Sequence, residues 1–149
     1  MRTIVISCSE KKIASSLPIP VIDIYDGPYF KTLRKLKREG LFPEDVKVFV
    51  ISAKYGLLQL NDTIMSYDQH MTKNRASQLA YKVVNDLINA IKEDVSKELV
   101  VNLGADYMPS LNEIENYLPD YCRLIFFTGT IIQRRKQLKE YLLNGLPRE

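Results

Sequence analysis

Four stretches of the chain put side chains capable of binding or reaction directly after an apolar run. Val46 to Ile51 gives way to Ser52-Ala53-Lys54-Tyr55-Gly56, which presents a hydroxyl, an ammonium and a phenol before a glycine free to adopt φ > 0. Val5-Ile6-Ser7 gives way to Cys8 and Ser9, with Lys11 and Lys12 close behind. Val101-Asn102-Leu103 passes into Gly104-Ala105-Asp106, and Phe126-Phe127 into Thr128-Gly129-Thr130. In an open α/β sheet, ligands bind in the crevice beyond the carboxyl ends of the strands, so these junctions are where binding chemistry is expected.

Each junction suggests its own chemistry. Positive neighbours raise the thiolate fraction of a cysteine, so Cys8 beside Lys11 and Lys12 is a candidate nucleophile; a small buried apolar residue is the plainer alternative. Ser7, Ser9, Lys11 and Lys12 suit a polar nest for a phosphate or carboxylate, although neither a Walker motif nor a dinucleotide-binding glycine triplet is present. Tyr67-Asp68 is a candidate catalytic pair. A carboxylate carried over a pocket by a loop can activate water if desolvation raises its pKa. His70, the only histidine, follows two residues later. Tyr25, Tyr55 and Tyr67 offer flat faces suited to stacking on a nucleobase, or alternatively to packing on the core from half-buried loops. Lys12 and Lys54 would hold an anionic group, with Ser52 and Gly56 among the substrate-binding residues. Gly129-Thr130, followed by Gln133 and Arg134, could bind an anion at a helix start, with an ordinary N-cap as the simpler account. No cluster of metal ligands is evident, and no metal or cofactor is expected.

The elements that must position these residues follow from periodicity. Thr3 to Ser7, Val46 to Ile51, Leu99 to Leu103 and Arg123 to Phe127 read as strands, and Val21 to Tyr25 as a brief extended piece. Asp26-Gly27-Pro28 is a helix start, with Asp26 as cap, Phe30, Leu33 and Leu36 at helical spacing and Gly40 as the stop. The most regular stripe, Ala76, Leu79, Ala80, Val83, Val84, Leu87, Ile88 and Ile91, predicts a long helix capped by Thr72. Gln59 to Thr72 reads as a long polar connection of the kind that forms lids or binding loops. A helix beginning near Asp106 or Met108, with Pro109 in its first turn, and a last helix ended by Gly145 and Pro147 complete the series. Alternating strands and helices predict one α/β domain over residues 1–149: a three-layer arrangement with a mostly parallel sheet and helices on both faces.

Composition narrows the class without choosing a function. No apolar run reaches the ~18 residues of a membrane-spanning helix, so no membrane partner is expected. The N-terminal residues run straight into a strand pattern without a signal-peptide core, and two cysteines without zinc-ligand spacing suggest a reduced, cytoplasmic setting. A formal charge of +3 is compatible with a small anionic ligand and modest for a dedicated nucleic-acid coat. Lys31, Arg34, Lys35, Lys37 and Arg38 line one helix, and Arg134-Arg135-Lys136 another. They are either solvated faces or a polyanion surface.

Taken together, Cys8-Ser9-x-x-Lys12, Tyr25-x-Gly27-x-x-Phe30, Ser52-Ala53-Lys54-Tyr55-Gly56-Leu57-Leu58 and Ile64-x-x-Tyr67-Asp68 resemble a family of small prokaryotic α/β domains. That family is distantly similar to the YaaA-type proteins and to the central domain of archaeosine synthases. The resemblance covers close to half the chain, with Ser-Ala-Lys-Tyr-Gly-Leu as its most specific part. It implies an α/β domain whose motifs gather at one pocket, with a connection to nucleic acids or modified nucleobases among relatives. The expectation is a nucleotide- or nucleobase-directed enzyme, hydrolytic or glycosidic, taking a small anionic or nucleobase-containing ligand. Its alternatives are a non-catalytic RNA- or DNA-binding module using the basic helices, and a scaffold with a vestigial pocket. Composition leaves the oligomeric state open.

Overall fold

The computed structural model describes residues 1–146. At its centre β1 (Arg2–Ser7) pairs in parallel with β3 (Val46–Ser52) on one side and β6 (Glu98–Asn102) on the other. Strand β7 (Arg123–Phe126) extends the parallel set beyond β6, and β4 (Gly56–Gln59) closes the other edge antiparallel to β3. The order is β4-β3-β1-β6-β7. A two-residue strand β2 (Ile19–Pro20) pairs separately with β5 (Thr63–Ile64).

Successive side chains of a strand point to opposite faces. In β1, Ile4 and Ile6 join Val48, Val50 and Val100 in one core cluster, with residues of α1 (Val21–Ile24), α2 (Pro28–Arg38) and α4 (Ile131–Asn144). Val5 joins Phe49, Ile51, Leu99 and Val101 in a second cluster, with Ala76, Val83, Leu87 and Ile91 of α3 (Lys73–Asp94). Burial on both faces is why β1, β3 and β6 read as nearly unbroken apolar runs. The alternation also fixes the strand ends. Ser52 lies two residues after Val50 and Asn102 two after Val100, on the face of the first cluster, against which Cys8 also packs.

Several expectations need correction. Val21–Ile24 is one helical turn, not an extended piece, because Arg34 Nη1 caps its free carbonyls by donating to Ile22 O (2.8 Å) and Tyr25 O (2.9 Å). Gly27, not Asp26, is the N-cap of α2; the Asp26 carboxylate is drawn instead to Arg34 at 3.0 Å. The connection from Gln59 to Thr72 is less irregular than its polarity suggests: it holds β5, and β4 ends where it begins, at Gln59. The segment around Pro109 forms 3₁₀ turns, Ala105–Leu111 and Ile114–Asn116, in place of an α-helix. Gly145 ends α4, while Pro147 lies outside the described residues.

Thr72 caps α3 as expected, its side chain accepting from Arg75 N at 3.0 Å. At the other end Val95 takes the left-handed conformation (φ 49°), a β-branched residue where glycine is the usual choice. Thr72→Ala should therefore lower stability by about 1 kcal/mol. Val95→Gly should raise it by up to about 1 kcal/mol through relief of left-handed strain. Urea unfolding of the two variants checks both signs, and the same sign for both would refute this account of the α3 ends.

Candidate site at the carboxyl ends of the strands

Ser52 is wholly buried at the tip of β3, and its hydroxyl organises the turn that follows. Its Oγ accepts from Tyr55 N (3.1 Å) and Lys54 N (3.3 Å), folding Ser52-Ala53-Lys54-Tyr55 back into β4. Arg75 in the first turn of α3 fixes the same turn by donating to Ala53 O (2.7 Å) and Lys54 O (3.2 Å). Gly56 completes it at φ 78°, a conformation costly for any residue with a Cβ.

Three hydroxyls meet there. Ser52 Oγ lies 2.8 Å from Tyr67 Oη, which lies 2.6 Å from Tyr25 Oη. Both acceptor positions of Ser52 Oγ are taken by backbone N–H groups, so Ser52 must donate to Tyr67. The three groups carry three hydrogens and make two hydroxyl-to-hydroxyl bonds, so one hydrogen remains, on Tyr25 or on Tyr67. The cluster is thus a net donor. Burial, with the charge of a Cys8 thiolate acting in the same direction, pushes both tyrosines well above the usual phenol range and keeps them protonated.

Around this centre, Lys12 Nζ stands 4.4 Å over the Tyr67 ring, and Lys54 Nζ 5.3 Å from the Tyr55 ring centre. The Tyr55 and Tyr67 rings meet edge to face at 5.4 Å. Cys8 is half-buried, its sulfur 3.0 Å from the hydroxyl of Tyr107, which arrives from the 3₁₀ segment after β6. Burial and Cys8 push Tyr107 upward as well. Ser9 Oγ donates to Lys11 O, and its side chain lies so close to Gly27 that a Cβ there would come within 2.9 Å. Gly27 is therefore required for space, so that α2 can start against the loop after β1.

Cys8, Lys12, Tyr25, Ser52, Tyr55 and Tyr67 are thus connected neighbours, and Ser9, Gly27 and Gly56 shape the backbone around them. Lys54 sits at the rim with its side chain exposed. Asp68 is different. Its carboxylate is fully exposed, with His70 4.0 Å away, and His70 in turn touches Glu10 at 3.2 Å. The loop does fold over the strand tips, but it directs Tyr67 inward and Asp68 to solvent, without the desolvation a general base would need. At Gly129-Thr130 the helix start is filled by its own capping box. Gln133 Oε1 accepts from Thr130 N (2.8 Å), and Thr130 Oγ1 accepts from Gln133 N (3.2 Å). Among the described residues no group of three or more His, Cys, Asp or Glu could hold a metal ion, and no helix is long and apolar enough to cross a membrane.

Tyr107, Arg34 and Arg75 belong to the site's framework and were not read from the sequence as such. Arg34 looked like one member of a basic helix face, yet it clamps α1 and Tyr25. Tyr107 stands three residues after Gly104, at one of the polar strand ends. Other basic residues are likewise engaged within the fold: Arg135 Nε donates to Thr32 Oγ1 (3.1 Å), and Lys37 covers the Phe42 ring at 4.5 Å. Lys31, Lys35, Arg38 and Lys136 stay exposed.

Residues 3–140 match a family described as "Family of unknown function (DUF6884)". No curated protein matches the chain significantly. A solved structure, the crystal structure of AF0587, a protein of unknown function, is similar with a TM-score of 0.54 at 11% identity. The match covers 94% of this chain and 44% of that one, so the chain spans less than half the length of the solved structure it resembles. At that identity the likeness is one of fold.

The buried phenols predict an alkaline limit to stability. In the unfolded chain Tyr25, Tyr67 and Tyr107 titrate near pH 10, whereas burial raises all three in the folded state. Their contribution is fully present below pH ~10 and is lost as pH rises toward the folded values, because the unfolded state then releases protons that the folded state keeps. Thermal unfolding should shift steeply downward above pH ~10, with tyrosinate absorbance of the buried rings appearing only on unfolding. Normal titration of all nine tyrosines in a protein still folded by circular dichroism would contradict this.

Proposed function

The chain belongs to the DUF6884 family of unknown function, and we propose that it is a nucleotide- or nucleobase-directed enzyme whose crevice lies at the carboxyl ends of β1 and β3. The single observation supporting this most is the unspent hydroxyl hydrogen of the Ser52–Tyr67–Tyr25 cluster, flanked by the Lys12 and Lys54 ammoniums and by the faces of Tyr55 and Tyr67. A donor, two cations and two rings complement an anionic group attached to a planar heterocycle. The nucleobase direction comes from the motif resemblance of Ser52 to Leu58 and its companions. The sheet is taken as the middle of three layers, so that the crevice opens at its rim, in a cytoplasmic setting.

Among the side chains gathered here, Cys8 is the candidate nucleophile for a hydrolytic or glycosidic reaction. Tyr107 holds its sulfur at 3.0 Å, and Cys8 adjoins the tyrosine cluster. Asp68, in bulk solvent, has the lesser part. RNA or DNA binding by the basic helices is less well supported, because Arg34, Lys37, Arg134 and Arg135 make contacts within the fold.

A thermal-shift series with mononucleotides, nucleosides and free bases tests this. A ligand at about a hundred times its Kd should add ~2.7 kcal/mol, a rise of several degrees for a chain of this size. The rise should shrink in Tyr67→Phe and Lys12→Gln and persist in Cys8→Ser, which should lose turnover alone. No stabilisation by any of the three ligand classes would overturn the proposal.

A further inference from the structure

A second polar cluster lies on the same face of the sheet, between α2 and α4, and it is made of donors. Asn102, at the end of β6, is wholly buried, and its Nδ2 has no hydrogen-bond partner among the described residues. Tyr29, in the first turn of α2, is 7% exposed, and its hydroxyl is likewise unpartnered. Arg134, in the first turn of α4, is 9% exposed and has its guanidinium carbon 5.8 Å from the centre of the Tyr29 ring. The guanidinium's one hydrogen bond among the described residues runs from Nη1 to Asn102 Oδ1, at a long 3.5 Å. No carboxylate is paired with it among those residues, although a guanidinium brings five N–H donors.

A buried cation without a counter-charge is costly, and so is each buried donor without an acceptor. Here the deficits lie on neighbouring side chains: a guanidinium with a single long bond to Asn102 Oδ1, and an amide N–H₂ and a phenol hydroxyl that have no partner among the described residues. Hydroxyl and amide protons beside a guanidinium are the groups from which an oxyanion accepts. We propose that Arg134, Asn102 and Tyr29 form an anion-binding site for a phosphate or carboxylate group. The anion reading of the α4 start thus shifts by one turn: Thr130 and Gln133 satisfy each other, and the guanidinium of Arg134 points inward to Asn102. Asn102 pairs with Ile6, two residues before Cys8 on the neighbouring strand, so the site adjoins the crevice without sharing a residue with the tyrosine cluster.

The site stands independently of the nucleobase reading, and its test uses simple anions on the full chain. Sodium phosphate and sodium acetate are each titrated against sodium chloride at matched ionic strength, following thermal unfolding and heat of binding. Saturable stabilisation by phosphate or by acetate over chloride is expected, and the stronger of the two identifies the source. Tyr29→Phe keeps the ring on Arg134 and should weaken that affinity about tenfold, the loss of one charge-assisted hydrogen bond. Asn102→Asp supplies an internal carboxylate and should abolish the anion response while raising the unfolding temperature in chloride. Wild-type protein with equal behaviour in all three salts would overturn the site, whether or not the variants fold. An anion response unchanged in Tyr29→Phe would overturn it too. A response to phosphate with none to any nucleotide, nucleoside or base would keep this site and remove the nucleobase proposal.

Discussion

Parallel pairing of β1 with both β3 and β6 is the constraint from which the rest of the molecule follows. Parallel neighbours end at the same rim, and strand alternation decides which face each terminal side chain takes. Since Ile6 lies opposite both Val50 and Asn102, the chain places Ser52, Cys8 and Asn102 together although they come from segments tens of residues apart. A slip of one residue in either pairing would send Ser52 or Asn102 to the α3 face and bring an apolar side chain to the crevice. Apolar burial on both faces makes such a slip expensive, so the stability of the sheet and the geometry of the rim have one origin.

What gathers at that rim is an excess of donors in a poorly solvated place. Ser52 spends its lone pairs on the backbone turn and its hydrogen on Tyr67. That chain of bonds anchors the loop bearing Tyr67 and also leaves one hydroxyl hydrogen unspent. A buried polar network that is satisfied rigidifies, and a buried polar group left unpaired is costly. The same imbalance appears at Arg134, Asn102 and Tyr29 on the far side of β1. Both donor-rich clusters lie on one face of the sheet, on either side of β1.

Much of this was legible in the sequence because it rests on local chemistry. Thr72 before a long apolar stripe, Thr130 three residues ahead of Gln133, and glycine after Ser-Ala-Lys-Tyr all have nearby causes, and each stands where periodicity and capping rules put it. What was not legible depended on partners distant in sequence. Asp26 looks like a cap until Arg34 claims it, and Arg34 looks like a solvated face until it turns back to Ile22 and Tyr25. Strand β4 is not legible because four residues with two adjacent leucines show no alternation of their own; only the pairing with β3 reveals it. Asp68 and Tyr67 are adjacent, yet their side chains part, one to solvent and one to Ser52, and spacing cannot say which. Val95 carries no glycine to mark the helix end it occupies.

The central claim is that Tyr25, Tyr55, Tyr67 and Tyr107 surround one hollow that receives a ligand. Ring-labelled tyrosine NMR during a mononucleotide titration tests it directly, because exposed Tyr81, Tyr117 and Tyr121 serve as internal controls. The account predicts that signals of Tyr55, Tyr67 and their two neighbours move together along one saturation curve while the three controls stay still. Movement of the controls with the cluster unchanged, or no movement of any tyrosine, would contradict it.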